Sequence, residues 1–271
     1  MTDLGVLHQY GEDFERALGL KTSPIAMKLL ESEGDIPEGA KRPVKDLGFH
    51  LSLCQAFALS RMKGMCIAQL KEDMWCHEPI IGLGIAEPPQ YWLDGNTRRQ
   101  YFRTQEDAMK SVSESPRLPV GKYIGIISAP LKTTEFEPDL VIIYCDPAQL
   151  SFLLRAKRAT GSGQTGNFAS DLSSGAACLF ATVPVLQTKK CQFTLPCSGD
   201  RRAGLAQDNE VVFTIPRERL DGIAKMTAKM DFKSIASSPI EAMPEHPLPE
   251  SYAKVTNLLG IETGDRIIPG I

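Results

Sequence analysis

The chain has 271 residues, 42% of them apolar and 23% charged, a composition that matches an ordinary globular protein with a sizeable core. A net charge of −3 argues against nucleic acid as a partner, because the basic runs at Arg155–Arg158, Lys189-Lys190 and Arg201-Arg202 are short and read as solvated faces. No apolar stretch has the length of a bilayer span and the acidic start lacks a secretory pattern, so a cytoplasmic protein without membrane contact is expected. Seven cysteines, an odd number in a chain of this kind, argue against a disulfide framework and leave core thiols, metal ligands or a reactive thiol.

In chain order, Glu12–Leu18 reads as the end of a helix stopped at Gly19, and Pro24–Leu30 reads as a buried strand. Leu51, Cys54, Ala58 and Met62 recur at helical spacing, which predicts a helix over His50–Met62 that ends at Gly64. Met65–Leu70 is a short strand, and Pro79 in Cys76-His77-Glu78-Pro79 sets Cys76 just ahead of a helix. Within Glu87–Thr134, read as an insertion, Trp92–Asn96 predicts a turn and Tyr123–Ser128 a strand. Leu140–Cys145 is a strand, and Asp146-Pro147-Ala148-Gln149 supplies a cap, a first-turn proline and a Gln that reaches back. Ser173 or Ser174 is positioned to cap a helix carrying Cys178, Cys191–Leu195 alternates like a strand, and Cys197 precedes a third helix start. A strand ending at Pro216, an extended proline-rich connection and a helix over Glu250–Leu259 complete the pattern.

Two segments repeat one plan. The first, beginning LCQAFALSRMKGMC, carries Cys54, Cys66 and Cys76; the second, beginning ACLFATVPVLQTKKC, carries Cys178, Cys191 and Cys197. Each is followed by a hydrophobic strand that runs into a proline, at Pro147 and at Pro216. The predicted fold is therefore α/β: a single domain with a pseudo-twofold internal duplication, its helix–strand–helix units arranged around a mixed sheet. The first half covers about 20–155, the second about 170–230, with an extension over 231–271.

Cys54 with its Ala-rich helix, Cys76, the Cys145-Asp146-Pro147 strand end, Cys178 and the LPCSGDR stretch together resemble the ArCR family, domain of unknown function 169. The similarity runs from about Leu18 to Ala228 and rests on the order of the motifs. The resemblance implies a prokaryotic cytoplasmic protein with recurring cysteines matching Cys54, Cys76 and Cys197, and it implies no particular reaction.

Cysteines repeated in two halves have one economical use, a shared metal site. Four thiolates are what a [4Fe-4S] cluster requires, and Cys54, Cys76, Cys178 and Cys197 are the expected ligands. Cys76 and Cys197, at helix starts, are expected to have lowered thiol pKa values, and Arg201 is expected to offset the charge of the cluster. Four-thiolate zinc is the nearest competitor, but the chain lacks the C-x2-4-C knuckles usual for that metal. Cys66, Cys145 and Cys191, on strands, read as core. Electron transfer or redox sensing, with a redox partner protein or a small molecule, is the functional expectation.

Two other readings stay open. One is a metal-free small-molecule binder or thiol enzyme using Cys76 or Cys197, with His77 and Glu78 beside the first of these. The other is a purely structural protein with every cysteine in the core. Gly161, Gly163 and Gly166 satisfy G-x-G-x-x-G, but a helix-like stretch precedes them where a dinucleotide site needs a strand. They read as a loop that covers the site or cradles an anion through backbone N–H groups.

Overall fold

The computed structural model describes residues 3–161, 167–168, 175–230, 248–260 and 267–268. The chain divides into a main unit, Met1–Phe232, and a C-terminal unit, Lys233–Ile271. In the C-terminal unit a helix, Glu250–Leu258, accompanies a parallel pairing of Leu248-Pro249 with Ile267-Ile268.

The main unit opens with helix α1, Leu4–Leu18, which begins well before the Glu12–Leu18 end read from sequence and is capped by the Asp3 side chain accepting the Gly5 N–H. Leu7, Tyr10, Phe14 and Leu18 form its buried stripe, and Gly19 ends it in the left-handed region at φ 62°. Strand β1 is Ile25–Leu30, helix α2 is Leu53–Lys63 and strand β2 is Ile67–Leu70. Short helices α3, His77–Gly82, and α4, Gln90–Leu93, lead to α5, Gln105–Ser113, and strand β3, Gly125–Pro130. Strand β4, Leu140–Cys145, runs into α6, Pro147–Ala159, through a capping box in which Asp146 and Gln149 satisfy each other's backbone N–H groups. Strand β5, Asn167-Phe168, is followed by a π-helical turn, Ala176–Phe180, helix α7, Val183–Thr188, and strand β6, Gln192–Thr194. Helix α8, Ser198–Arg202, strand β7, Val211–Pro216, and helix α9, Arg217–Lys229, close the unit.

The seven strands form one sheet in the order β2-β3-β1-β4-β7-β6-β5. Every neighbouring pair is antiparallel except the two-residue β5–β6 contact, which is parallel. Read outward from its centre, the sheet runs β1, β3, β2 on one side and β4, β7, β6 on the other. The strand ending before Pro147 and the strand ending at Pro216 are therefore direct neighbours, with Ile142 opposite Thr214. Strand β3, inside the segment read as an insertion, lies between β2 and β1, so only the stretch before it stands outside the sheet.

β4 and β7 are buried at every position, as expected for strands covered on both faces. Alternation assigns the residues to sides. Ile25, Met27, Leu29, Leu140, Ile142, Tyr144 and Val212 share one core with Phe57 of α2, Leu179 of the π turn and Val185 of α7. The intervening positions, among them Ala26, Val141, Ile143, Cys145 and Phe213, point to the other face, where α6 and α9 pack together against β7 and α9 meets α1. The expected helix carrying Cys178 is a single π turn. Gly175 precedes it with φ 75°, its carbonyl accepts from Leu179 and Phe180, and Pro184 prevents a continuous helix through this region. Ser173 and Ser174, expected as caps, lie outside the described residues.

Ile142 is fully buried at the centre of the sheet, whereas Val6 is 39% exposed on α1. Ile142→Ala is expected to lower unfolding free energy by about 2–5 kcal/mol in urea titrations, and Val6→Ala by less than about 0.5 kcal/mol.

Candidate four-cysteine site

Four separate elements deliver the cysteines. Ser52 caps α2 through a reciprocal pairing with Gln55, which fixes the first turn where Cys54 sits, and the Ser52 hydroxyl lies 3.1 Å from the Cys54 sulfur. The Leu51 N–H donates to the Asp73 carbonyl and the Trp75 N–H to the Leu51 carbonyl, so the approach to α2 and the approach to α3 run side by side. That pairing brings Cys76, the residue before α3, next to Cys54. Cys178 lies in the π turn, onto which α3 packs. A Cβ at Gly82 would fall 1.8 Å from the Leu179 side chain, so this close approach depends on glycine. Cys197 precedes α8, and its sulfur accepts backbone N–H groups from Ala176, Gly199 and Asp200.

Each of the six pairs among Cys54, Cys76, Cys178 and Cys197 is close enough that a negative charge on one sulfur raises the pKa of another. The Cys54 sulfur also reaches the Gly199 carbonyl at 3.7 Å, across the junction of the two halves. Cys66, Cys145 and Cys191 stand apart from this group. Cys66 lies near Glu135, Cys145 near Asp146 and Glu210, and Cys191 near Lys157 and Arg219. The seven cysteines form no disulfide.

The four sulfurs converge without forming a single-ion cage. Among the described residues no group of three or more Cys, His, Asp or Glu side chains stands as a site for a metal ion. Tetrahedral zinc, with bonds near 2.3 Å, draws its sulfurs to within about 3.8 Å of one another.

The expectation of lowered thiol pKa values at Cys76 and Cys197 is corrected by burial. Burial drives Cys76 up to about 11, and the single N–H from Glu78 offsets it only in part. Cys197 is also raised by burial despite its three N–H donors. Burial and the Asp200 charge push Cys54 to about 12, and burial together with the other three sulfurs holds Cys178 well above the ordinary thiol value. Helices of five and six residues carry too little dipole to outweigh desolvation. Without metal the site holds neutral thiols at physiological pH.

A buried polar network lies beneath the sulfurs. The Tyr144 hydroxyl donates to Asp200 Oδ1 at 2.9 Å, and the Arg61 guanidinium stacks 4.1 Å from the Tyr144 ring centre. Arg61 also pairs with Glu210 at 3.3 Å and donates to the Gly204 and Leu205 carbonyls. Gly204 is another enforced glycine, since a Cβ there would lie 2.6 Å from Asp200 Oδ1 and 2.9 Å from the Cys54 Cβ. Asp200 is 1% exposed and its Oδ2 finds no partner among the described residues; burial raises its pKa to about 6.

Arg201, expected to offset charge at the sulfurs, instead bonds Asp208 at 2.6 Å and the Pro196 carbonyl, and its charge bears on Asp200. Gly161 closes α6 at φ 80°, whereas Gly163 and Gly166 lie outside the described residues. His77 is half exposed, with Nε2 3.6 Å from Glu78 Oε1. Glu78 was noted from sequence only as a carboxylate beside Cys76, and Tyr144, Arg61 and Asp200 were not singled out as site groups. Arg61 carried a readable signal, because it lies seven residues beyond Cys54 on the same face of α2.

The fold and site define an α/β protein with four neighbouring cysteines, two buried and two partly buried, on one face of a largely antiparallel sheet. The chain belongs to the uncharacterised ArCR family, DUF169, whose profile matches residues 13–226. It is 26% identical over 205 residues to an uncharacterized protein of Methanocaldococcus jannaschii, a match spanning 74% of this chain and 84% of that relative. No solved structure matches the chain. No helix among the described residues is long and apolar enough to cross a membrane.

Asp200 gives the site a measurable pH signature in metal-free protein. In the unfolded chain an aspartate ionises near pH 4, but in the folded protein Asp200 holds its proton to about pH 6. The folded state is thus favoured below pH 4, and this contribution is lost as pH rises through 6. Asp200→Asn keeps an acceptor for Tyr144 and removes that slope, so urea unfolding at pH 4 and pH 7 should differ from wild type by up to about 3 kcal/mol. An unchanged pH dependence in the variant would contradict the buried placement.

Proposed function

We propose that this protein binds an iron–sulfur cluster, [4Fe-4S] in its simplest form, through Cys54, Cys76, Cys178 and Cys197, and uses it for electron transfer or redox sensing. The observation that carries this reading is the mutual proximity of those four sulfurs and no others. Such a cluster supplies one-electron redox chemistry when bound. The chain's own groups fit a host role. The N–H donors on Cys197 stabilise thiolate, Ser52 hydrogen-bonds Cys54, and burial limits water at Cys178. Trp75, 59% exposed and adjacent to Cys76, offers an aromatic surface beside the site for a redox partner.

A duplicated origin of the two halves belongs to the same proposal. It is supported by a shared connection order: inner strand β1 or β4, then outer strand β2 or β6, then the strand between, β3 or β7, with the two-residue β5 having no counterpart in the first half. In each half one of the four gathered cysteines precedes this outer strand and one follows it. A cytoplasmic setting, where thiols stay reduced, accords with this chemistry.

Protein purified and reconstituted without oxygen is expected to hold about four irons and four sulfides per chain, with broad absorption near about 400 nm. Cys54→Ala, Cys76→Ala, Cys178→Ala and Cys197→Ala should each lose most of that iron, while Cys145→Ala keeps it. Colourless, iron-free wild type after reconstitution would defeat the reading. Because the thiols are protonated without metal, uptake displaces protons and should strengthen as pH rises from roughly 6 to 9; titration with ferrous iron and sulfide checks the sign.

A further inference from the structure

Resting on the four-cysteine reading, we propose that Arg98, carried by the segment that stands outside the sheet, is a positioning residue that holds Glu78 and through it sets Cys76 at the site. Arg98 is 1% exposed, and its Nη2 lies 3.1 Å from Glu78 Oε2. Its Nη1 donates to the Ser111 carbonyl, the Ser111 hydroxyl and the Ser115 hydroxyl, and its guanidinium lies 5.9 Å from the Trp92 ring centre. One cation thus joins α4, α5 and the start of α3. A second tie fixes the other end of α3: the Leu118 N–H donates to the Gly82 carbonyl and the Gly121 N–H to the Gly84 carbonyl.

Glu78 stands two residues after Cys76, is buried, and gives its backbone N–H to the Cys76 sulfur. Its negative charge bears on both Cys76 and Cys178. A buried carboxylate beside four thiolates needs a fixed countercharge or it drives the ligands apart. His77, half in water at 3.6 Å, is the more screened of the two cationic groups beside it. Arg98, itself buried with its Nη2 3.1 Å from Glu78 Oε2, is the cation that supplies that countercharge from within the protein. The segment over Glu87–Ile124 therefore has a task at the site: it delivers the charge that lets Glu78 sit there.

The test compares Arg98→Lys, Arg98→Met and the double variant Glu78→Gln/Arg98→Met. Cluster retention against a chelator and alkylation of Cys76, followed by mass spectrometry with Cys145 as internal reference, are the readouts. Arg98→Met is expected to weaken cluster retention by about tenfold or more and to speed Cys76 alkylation in metal-free protein. Arg98→Lys should recover part of both losses and the double variant most of both, since removing the two charges together leaves neither uncompensated. A double variant as impaired as Arg98→Met would reduce Arg98 to packing and overturn the proposal. If wild type takes up no cluster, the metal reading is what fails. Cys76 alkylation then decides on Arg98 alone, and a rate unchanged in Arg98→Met refutes it.

Discussion

The placement of Arg61 is the constraint on which the cysteine site depends. Its guanidinium leaves α2 and stacks on Tyr144 of β4, pairs with Glu210 and caps the carbonyls of Gly204 and Leu205. Those contacts join the helix that carries Cys54 to the loop that follows Cys197, which belong to opposite halves of the chain. A buried cation with one partner removed destabilises a protein by about 3–5 kcal/mol, so the junction is held by the penalty for separating it as much as by attraction. Leu205 sits in the left-handed region at φ 55°, a conformation a leucine adopts only under tertiary constraint, and its carbonyl is one of the groups Arg61 engages.

Charge balance at the sulfurs bears directly on the proposed cluster. Glu78 and Asp200 are both buried beside the sulfurs, and the buried cations Arg98 and Arg61 lie against them. Every one of the four thiols is raised above its ordinary value, chiefly by burial. A thiol enzyme needs the reverse, a depressed pKa that supplies thiolate near neutrality. Cys76 near 11 has no such activation, and the half-exposed His77 turns to Glu78. In the proposed cluster reading, bound metal would take the place of the displaced protons.

Much of this was legible in the sequence, and the remainder was hidden for identifiable reasons. Gly19 and Gly64 as helix stops, the Asp146–Gln149 capping box and Cys76 ahead of a helix are local features, set within a few residues, and each occurs where its local chemistry directs. The family was recognisable from the order of short cysteine motifs. Strand neighbours were not, because the two proline-terminated strands look like equivalent copies and nothing local says that they pair with each other. The direction of the thiol pKa shifts was misjudged for the same reason: a helix start is a local feature and desolvation is a tertiary one. The Glu78–Arg98 pair spans twenty residues and is invisible until α3 and the outer segment are folded together.

Strand parity decides which cysteines take part. Along β4 alternate residues face opposite sides, so Tyr144 turns to Asp200 and the sulfurs while Cys145 turns to α6 and α9. A one-residue slip of β4 against β1 and β7 would exchange them, removing the hydroxyl from Asp200 and presenting a fifth sulfur to the pocket. The register that pairs Ile142 with both Ile25 and Thr214 prevents this, because it buries Leu140 and Ile142 in the same core as Phe57. The chemistry of the site is thus fixed by the hydrophobic pattern of the sheet: the apolar residues that choose the register also choose which thiols meet.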